Sequence, residues 1–215
     1  PLYSSAASDV YKRQHYNQLL DGIDELLERA RLQFKDKPVF LYGHSMGGNL
    51  VLNYALKKPN TIKGVIATGP WLKLAFEPPA FQLKLAHLMR NLYPGFTQGS
   101  NLKTAHLSHD PEIVKAYERD RLVHDRISAS FFMNLYQAGL YALQHANELK
   151  VSSLVMHGGD DKITSQPASE EFTRKANVVA EYKLWDGMYH EIHNEPEKEA
   201  VLQHVVDWIR RQINR

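Results

Sequence analysis

Val39-Phe40-Leu41-Tyr42-Gly43-His44-Ser45-Met46-Gly47-Gly48-Asn49 is the stretch on which the fold turns. Val39 to Tyr42 is a short apolar run bounded by Gly43, the pattern of a buried strand. Asn49 to Lys57 reads as a helix, closed by Lys57-Lys58-Pro59-Asn60. Between them the pentapeptide Gly43-His44-Ser45-Met46-Gly47 places a serine on a sharp strand-to-helix turn. Such a turn projects Oγ out of the sheet, and the flanking glycines let strand and helix approach each other. The plain alternative is a glycine-rich turn whose serine only caps the following helix. The strand before it and the helix after it argue for the first reading.

Working outward, Leu20, Ile23, Leu27, Ala30 and Phe34 recur at steps of three and four, one face of an amphipathic helix ahead of the first strand. Ile62 to Thr68 supplies the next strand and Gly69-Pro70 its stop. Strand, helix, strand at this spacing is a βαβ unit and implies a parallel sheet. Residues 71–148 break the rhythm. Pro78-Pro79, Pro94-Gly95 and Gly99-Ser100-Asn101 punctuate helical stretches at 80–92, 111–118 and 128–146, with no convincing strand. An all-helical insertion of this kind suits a cap over a site; the alternative is a helical subdomain with no functional part. Alternation then resumes with a strand at Ser153–His157, a helix over 165–177 and a strand from Ala180 to Trp185. Pro196 opens a last helix in which Val201, Val205 and Trp208 share a face. The fold class is therefore α/β with a mostly parallel sheet and a helical cap, the core being residues 15–70 and 149–215.

A serine hydroxyl is a weak nucleophile near neutral pH and needs an adjacent base, itself held by a third group. The loop after the Ser153–His157 strand carries Gly158-Gly159-Asp160-Asp161, and the loop after Trp185 carries Asp186-Gly187-Met188-Tyr189-His190. Both loops lie where strand C-termini should point, the usual ligand edge of an open α/β sheet. Ser45, an aspartate and His190 thus form a candidate nucleophile, orienting acid and base. The backbone N–H of Met46, the residue after the nucleophile, is one candidate oxyanion donor.

These motifs resemble the monoacylglycerol lipase and lysophospholipase branch of the α/β-hydrolase fold, the group also filed with serine aminopeptidases. The resemblance runs over residues 15–213. It is carried by Gly43-His44-Ser45-Met46-Gly47-Gly48, by Gly158-Gly159-Asp160-Asp161-Lys162-Ile163-Thr164 and by Gly187-Met188-Tyr189-His190. Asp110-Pro111 followed by Tyr117, Asp120 and Leu122-Val123-His124 adds a cap phrase. The register of the acid loop favours Asp161 over Asp160. The resemblance implies hydrolysis of a lipid ester by Ser45, Asp161 and His190, with Gly43, His44 and Gly47 framing the nucleophile and no cofactor. It also implies further strands and a second oxyanion donor ahead of residue 15. His157-Gly158-Gly159 lies in the acid loop and is no substitute for that donor.

Residues 1–14 show no clear period and resemble translated sequencing-adapter read-through, so they are expected to be non-native and the N-terminal strands and second donor to be missing from this chain. The net charge of +2 and scattered basic residues give no reason to expect nucleic acid. No cysteine is present, which excludes disulfides and thiolate chemistry and suits a cytoplasmic protein. The pairs His190/His193 and His106/His109 have metal-ligand spacing but no evident third ligand, so no metal is expected. Trp71, Phe76, Phe81, Leu85, Met89 and Phe132 are candidates to line an acyl-chain tunnel, although aromatics at helical spacing are often plain core. Asp160, Asp186 and Glu191 read as solvated loop carboxylates. The expected partner is a small lipid ester, with transient contact of the cap with a membrane surface and no obligate protein partner. Two rivals stand: an aminopeptidase whose cap acids Glu77, Asp110, Glu112, Glu118 and Asp120 hold the substrate amine, and an inactive scaffold used for binding.

Overall fold

The computed structural model describes residues 16–58, 62–93, 96–100 and 102–214. The opening segment 1–14, Pro59-Asn60 and the Pro94-Gly95 break lie outside the described residues. In chain order the strands are β1 (Phe40–His44), β2 (Gly64–Thr68), β3 (Thr97–Gly99), β4 (Arg126–Ser128), β5 (Ser153–Gly158) and β6 (Ala180–Trp185). The helices are α1 (Tyr16–Gln33), α2 (Met46–Lys57), α3 (Ala80–Leu92), α4 (Pro111–Arg119), α5 (Ala129–His145), α6 (Gln166–Ala176) and α7 (Lys198–Ile213).

One sheet runs in the order β1-β2-β5-β6, every pair parallel. The register sets His44 opposite Thr68, Thr68 opposite Met156 and Gly158 opposite Trp185, so all four strands end along one edge. The two central strands, β2 and β5, are buried at every position. Their side chains alternate between two apolar layers, as the two-residue period of a strand requires. Val65, Ala67 and Val155 face a layer shared with α1, α2, α5 and α6, whereas Ile66, Leu154 and Met156 face Val201 and Trp208 of α7. Trp208 is fully buried, packs edge-on against Phe40 at 5.9 Å, and lies where a Cβ on Gly64 would come within 2.7 Å. Burying a side chain of that size stabilises the fold by about 2–3 kcal/mol.

The insertion between β2 and β5 is not all-helical. Thr97–Gly99 and Arg126–Ser128 pair as an antiparallel ribbon, and the Arg126 guanidinium donates to Thr97 O at 3.0 Å. Three residues a side are too few to show alternation, so this ribbon left no periodic signal. Nor does α5 stand apart from the core. Phe131, Leu135, Ala138, Ala142 and Leu143 join the larger apolar layer, and a Cβ on Gly139 would lie 2.2 Å from Leu72 O. No helix among the described residues is long and apolar enough to cross a membrane.

Candidate active site

The sheet edge where the strands end carries the candidate residues. Ser45 follows β1 directly and takes φ 54° and ψ −114°, a left-handed backbone that costs a non-glycine residue on the order of 1–3 kcal/mol. The surroundings hold it there. Ser45 N donates to Thr68 O at 2.9 Å, and Ser45 O accepts from Asn49 N at 3.1 Å and Trp71 N at 3.0 Å. Close packing across the turn demands glycine at one flank only. A Cβ on Gly43 would sit 2.2 Å from Gly47 O, whereas one on Gly47 would meet nothing within 4 Å. Gly48 fills the role expected of Gly47, since its Cβ would press on Pro70 at 2.9 Å.

Behind the turn, Asn49 and Asn53 are fully buried on α2. Asn49 Nδ2 donates to Trp71 O at 2.7 Å, Tyr16 donates its hydroxyl proton to Asn49 Oδ1 at 2.5 Å, and Asn53 Nδ2 donates to Ala138 O at 3.1 Å. These bonds tie α1, α5 and the Trp71 segment to the helix that starts at Ser45. Met46 is the first residue of that helix, so its N–H has no acceptor within the helix and sits at the positive end of the dipole.

Asp161 and His190 are brought together. Asp161 Oδ2 lies 2.7 Å from His190 Nδ1, with the aspartate side chain fully buried and that of His190 4% exposed. Oδ1 of the same carboxylate accepts from Ile163 N at 2.7 Å and Thr164 N at 3.0 Å, and Thr164 Oγ1 donates to Oδ2 at 2.8 Å. Burial alone would raise the Asp161 carboxyl. Hydrogen bonds from His157 and His190 outweigh it and hold the group well below the usual carboxylate range. A proton on Nδ1, donated to Asp161, leaves His190 Nε2 free as a base. His190 packs over the end of β2, where a Cβ on Gly69 would lie 3.1 Å from its Nδ1, one residue beyond the Thr68 carbonyl that holds Ser45 N. No hydrogen bond joins Ser45 Oγ to His190 among the described residues, and such contacts commonly close only around substrate. Asp160 is exposed and donates its N–H to Met188 O at 2.9 Å.

His44 lies between two other histidines, its ring centroid 4.6 Å from His190 and 4.7 Å from His193. Its Nδ1 donates to Thr68 O at 3.0 Å. Burial first, and then the nearness of His190 and His193, hold the His44 imidazole well below its ordinary value, so it stays uncharged. Burial also lowers His193. Asp186 is exposed, but Glu191 is only half-exposed and accepts from Asn194 Nδ2 at 2.7 Å, so it is not the freely solvated carboxylate expected.

A segment of the insertion is stitched to the histidine loop. His190 N donates to His106 O at 3.4 Å, Glu191 N to Leu107 O at 2.8 Å, and Ser108 Oγ to Asn194 O at 2.8 Å. Glu195, 1% exposed, is the shared acceptor: Tyr189 N reaches it at 2.6 Å and His109 N at 2.9 Å. The His109 ring also meets Glu195 at 3.1 Å and stacks on Tyr189 at 3.7 Å. This accounts for the cap phrase at Asp110-Pro111, because Asp110 caps α4 by accepting from Glu112 N at 2.9 Å right after the stitched residues. Sequence reasoning missed Glu195 and gave His157 no role beyond ending a strand and opening the acid loop. A histidine inside an otherwise apolar buried strand was the available signal for His157; none was local to Glu195.

A cavity of about 310 Å³ opens beside Met46, with Trp71, Tyr117, Leu122, Ile127, Phe131 and Leu135 among its walls. Of the expected tunnel residues, Trp71 lines it and Phe132 packs on Trp71 at 5.9 Å, whereas Phe76, Phe81 and Leu85 are exposed and Met89 is half-buried. A wider hollow of about 790 Å³ lies at the opposite edge of the sheet, among Ile62, Lys63, Lys150 and Ser152, far from the candidate chemistry. None of the cap acids weighed for an amine site lines the cavity beside Met46. Glu112 pairs with Lys115, Glu118 accepts from Thr104, and Asp120 accepts from Leu122 N.

Known proteins resemble this chain in sequence and fold. Residues 7–197 match the family described as serine aminopeptidase, S33, a span that takes in part of the opening segment set aside above. An uncharacterised abhydrolase domain-containing protein of Dictyostelium discoideum is 33% identical over 94% of this chain, which spans 22% of that protein. A monoacylglycerol lipase of Mycolicibacterium smegmatis is 30% identical over 92% of the chain and 72% of its own length. Among solved structures, the monoacylglycerol lipase of Paleococcus ferrophilus superimposes with a TM-score of 0.81 at 31% identity, over 93% of this chain and 76% of that one. The chain therefore belongs to the serine aminopeptidase S33 family, in the monoacylglycerol-lipase-like branch of the α/β-hydrolase fold.

Proposed function

We propose that the chain hydrolyses carboxylic esters of lipids, of the monoacylglycerol or lysophospholipid type, through an acyl-enzyme. Ser45 Oγ attacks the ester carbonyl while His190 Nε2 takes its proton. His190 returns that proton to the leaving alcohol, then activates the water that releases the fatty acid and regenerates Ser45. Asp161 keeps the imidazole in the tautomer that leaves Nε2 free. The N–H of Met46 at the start of α2 receives the negative charge that develops on the carbonyl oxygen. The observation that carries the reading is the 2.7 Å bond between Asp161 and His190 on the sheet edge that also presents the strained Ser45.

Within residues 71–148, the part ahead of α5 serves as the cap, while α5 packs into the core formed with residues 15–70 and 149–215. The cavity beside Met46, apolar on most of its walls with His124, Asp125 and Arg126 among the rest, supports an acyl chain as occupant, in keeping with relatives named monoacylglycerol lipases. Phe81, Leu85, Leu88 and Leu92 lie on one face of α3, each more than half exposed, which supports transient contact of the cap with a membrane surface. The test is fluorophosphonate labelling together with turnover of a monoacylglycerol, a lysophospholipid and aminoacyl amides. Ser45→Ala is expected to abolish labelling and to lower ester turnover about 10⁴–10⁶-fold. Residual turnover above a few per cent would remove Ser45 as nucleophile, and faster amide than ester cleavage would turn the reading to a peptidase.

A further inference from the structure

The acid of the proposed triad serves two imidazoles. His157, the penultimate residue of β5, is fully buried, and its Nε2 lies 3.0 Å from Asp161 Oδ2, the same oxygen that meets His190 at 2.7 Å. Its Nδ1 meets Ser169 Oγ of α6 at 2.8 Å, and Ser169 is itself fully buried. A histidine in a strand of leucine, valine and methionine is costly unless both ring nitrogens are satisfied, and here both are.

We propose that His157 is a positioning residue that donates Nε2–H to Asp161, aims the carboxylate at His190 and moderates its pull on the His190 proton. The inference rests on the triad assignment above. Nε2 of His157 faces a carboxylate oxygen and, each at 3.3 Å, the Thr164 carbonyl and the Thr164 hydroxyl, whose proton goes to Asp161 Oδ2, so the nitrogen carries a proton of its own. A line of hydrogen bonds then runs from Ser169 through His157 and Asp161 to His190. With Ile163 N, Thr164 N and Thr164 Oγ1 added, the carboxylate is held from every side and has one orientation. An oxygen shared between two N–H donors concentrates less charge on either. Asp161 Oδ2 therefore has a weaker hold on the Nδ1 proton of His190 than an oxygen given to His190 alone would have. The hydrogen bond from His157 is also the largest influence opposing burial in keeping the carboxyl ionised. The other ionisable groups facing the pair are His44 on β1 and His193 in the Ile192–Asn194 turn, and both are left in place by the test.

Two variants separate this role from simple packing. His157→Met puts an apolar side chain of similar reach in its place and removes the donor; His157→Gln offers an amide N–H near the position of Nε2. For His157→Met we expect kcat on a short-chain ester to fall about 10-fold with KM unchanged. The acid limb of kcat/KM should move up by about one pH unit as Asp161 turns wholly to His190. His157→Gln should restore both towards wild type. A lowered melting temperature with an unchanged pH profile and kcat would reduce His157 to packing and overturn the proposal. The tautomer is read separately, without turnover, in histidine-selective ¹⁵N spectra of the wild-type chain. A His157 ring protonated on Nε2 is expected, and one protonated on Nδ1 alone would sink the proposal even in an active enzyme. A wild-type chain that fails to label with fluorophosphonate would instead overturn the triad reading.

Discussion

Gly43→Ala probes the link between backbone packing and the nucleophile most directly. The added carbon would lie 2.2 Å from Gly47 O and 2.4 Å from its carbonyl carbon, where contacts below 3.0 Å are essentially never seen. Both obstacles are backbone, so no side chain can swing aside. Strand and helix must separate by at least about 0.8 Å, and Ser45 lies between the two residues that part. Overpacking of this kind costs about 1–3 kcal/mol, and a misplacement near 1 Å in a reacting group costs about 10²-fold in rate. The expectation is a fluorophosphonate labelling rate reduced about 100-fold and a urea midpoint lowered to match, with the far-ultraviolet spectrum retained. Gly47→Ala is the control, since its Cβ enters open space, and it should label within a few-fold of wild type at equal or higher stability. Equal labelling by Gly43→Ala and wild type, or equal damage from the two alanines, would refute the argument that the turn is held by this single close approach.

Asp161→Asn should lower ester turnover by roughly 10⁴-fold by favouring the wrong tautomer of His190, whereas Asp160→Asn on the exposed neighbour should be mild; exchanged phenotypes would make Asp160 the orienting acid. The uncharged His44 gives a pH signature: its imidazole is depressed in the fold, so the unfolded chain binds the extra proton as pH falls below about 6.5. Stability from this group is thus fully present above that value and declines below it. Urea titrations at pH 7.5 and 5.5 should show the loss, and His44→Asn should flatten it; an unaltered slope in the variant would contradict the assignment. Glu195→Ala leaves the N–H groups of Tyr189 and His109 without their acceptor, a loss of about 2–4 kcal/mol read by urea unfolding, and a change under 0.5 kcal/mol would discount the clamp.

How much of this could be read from the residues depended on whether the controlling interaction was local. The apolar runs of β2 and β5, the 80–92 helical period and the glycine-serine turn are contiguous, so their elements were legible to within a residue or two. The ribbon of Thr97–Gly99 and Arg126–Ser128 was not, because pairing across the α4 hairpin rests on hydrogen bonds between strands too short to alternate. The helical stretch at 128–146 was legible, but not that its face of Phe131, Leu135, Ala138 and Ala142 packs on the sheet core rather than in a separate cap. The close-packing role expected of Gly47 falls to Gly48 instead, a difference that shows only when the two are compared in space. His157 was visible as a residue, and its direction of bonding was not. Glu195 answers donors 86 positions away, for which no local pattern exists.

That separation also bears on the order in which the molecule assembles. Beyond its own turns and the Asp110 cap of α4, the described hydrogen bonds of the 106–110 segment all go to the loop carrying Tyr189, Glu191 and Glu195, some 80 residues later in the chain. Closing so long a loop is entropically unfavourable until many contacts form at once, which places the docking of this segment late in folding. The two stretches then constitute one cooperative opening unit in the native protein. The amides of His109, Tyr189 and Glu191 should therefore exchange with solvent at a common rate, despite their distance in sequence, and slower than the exposed turns beside them.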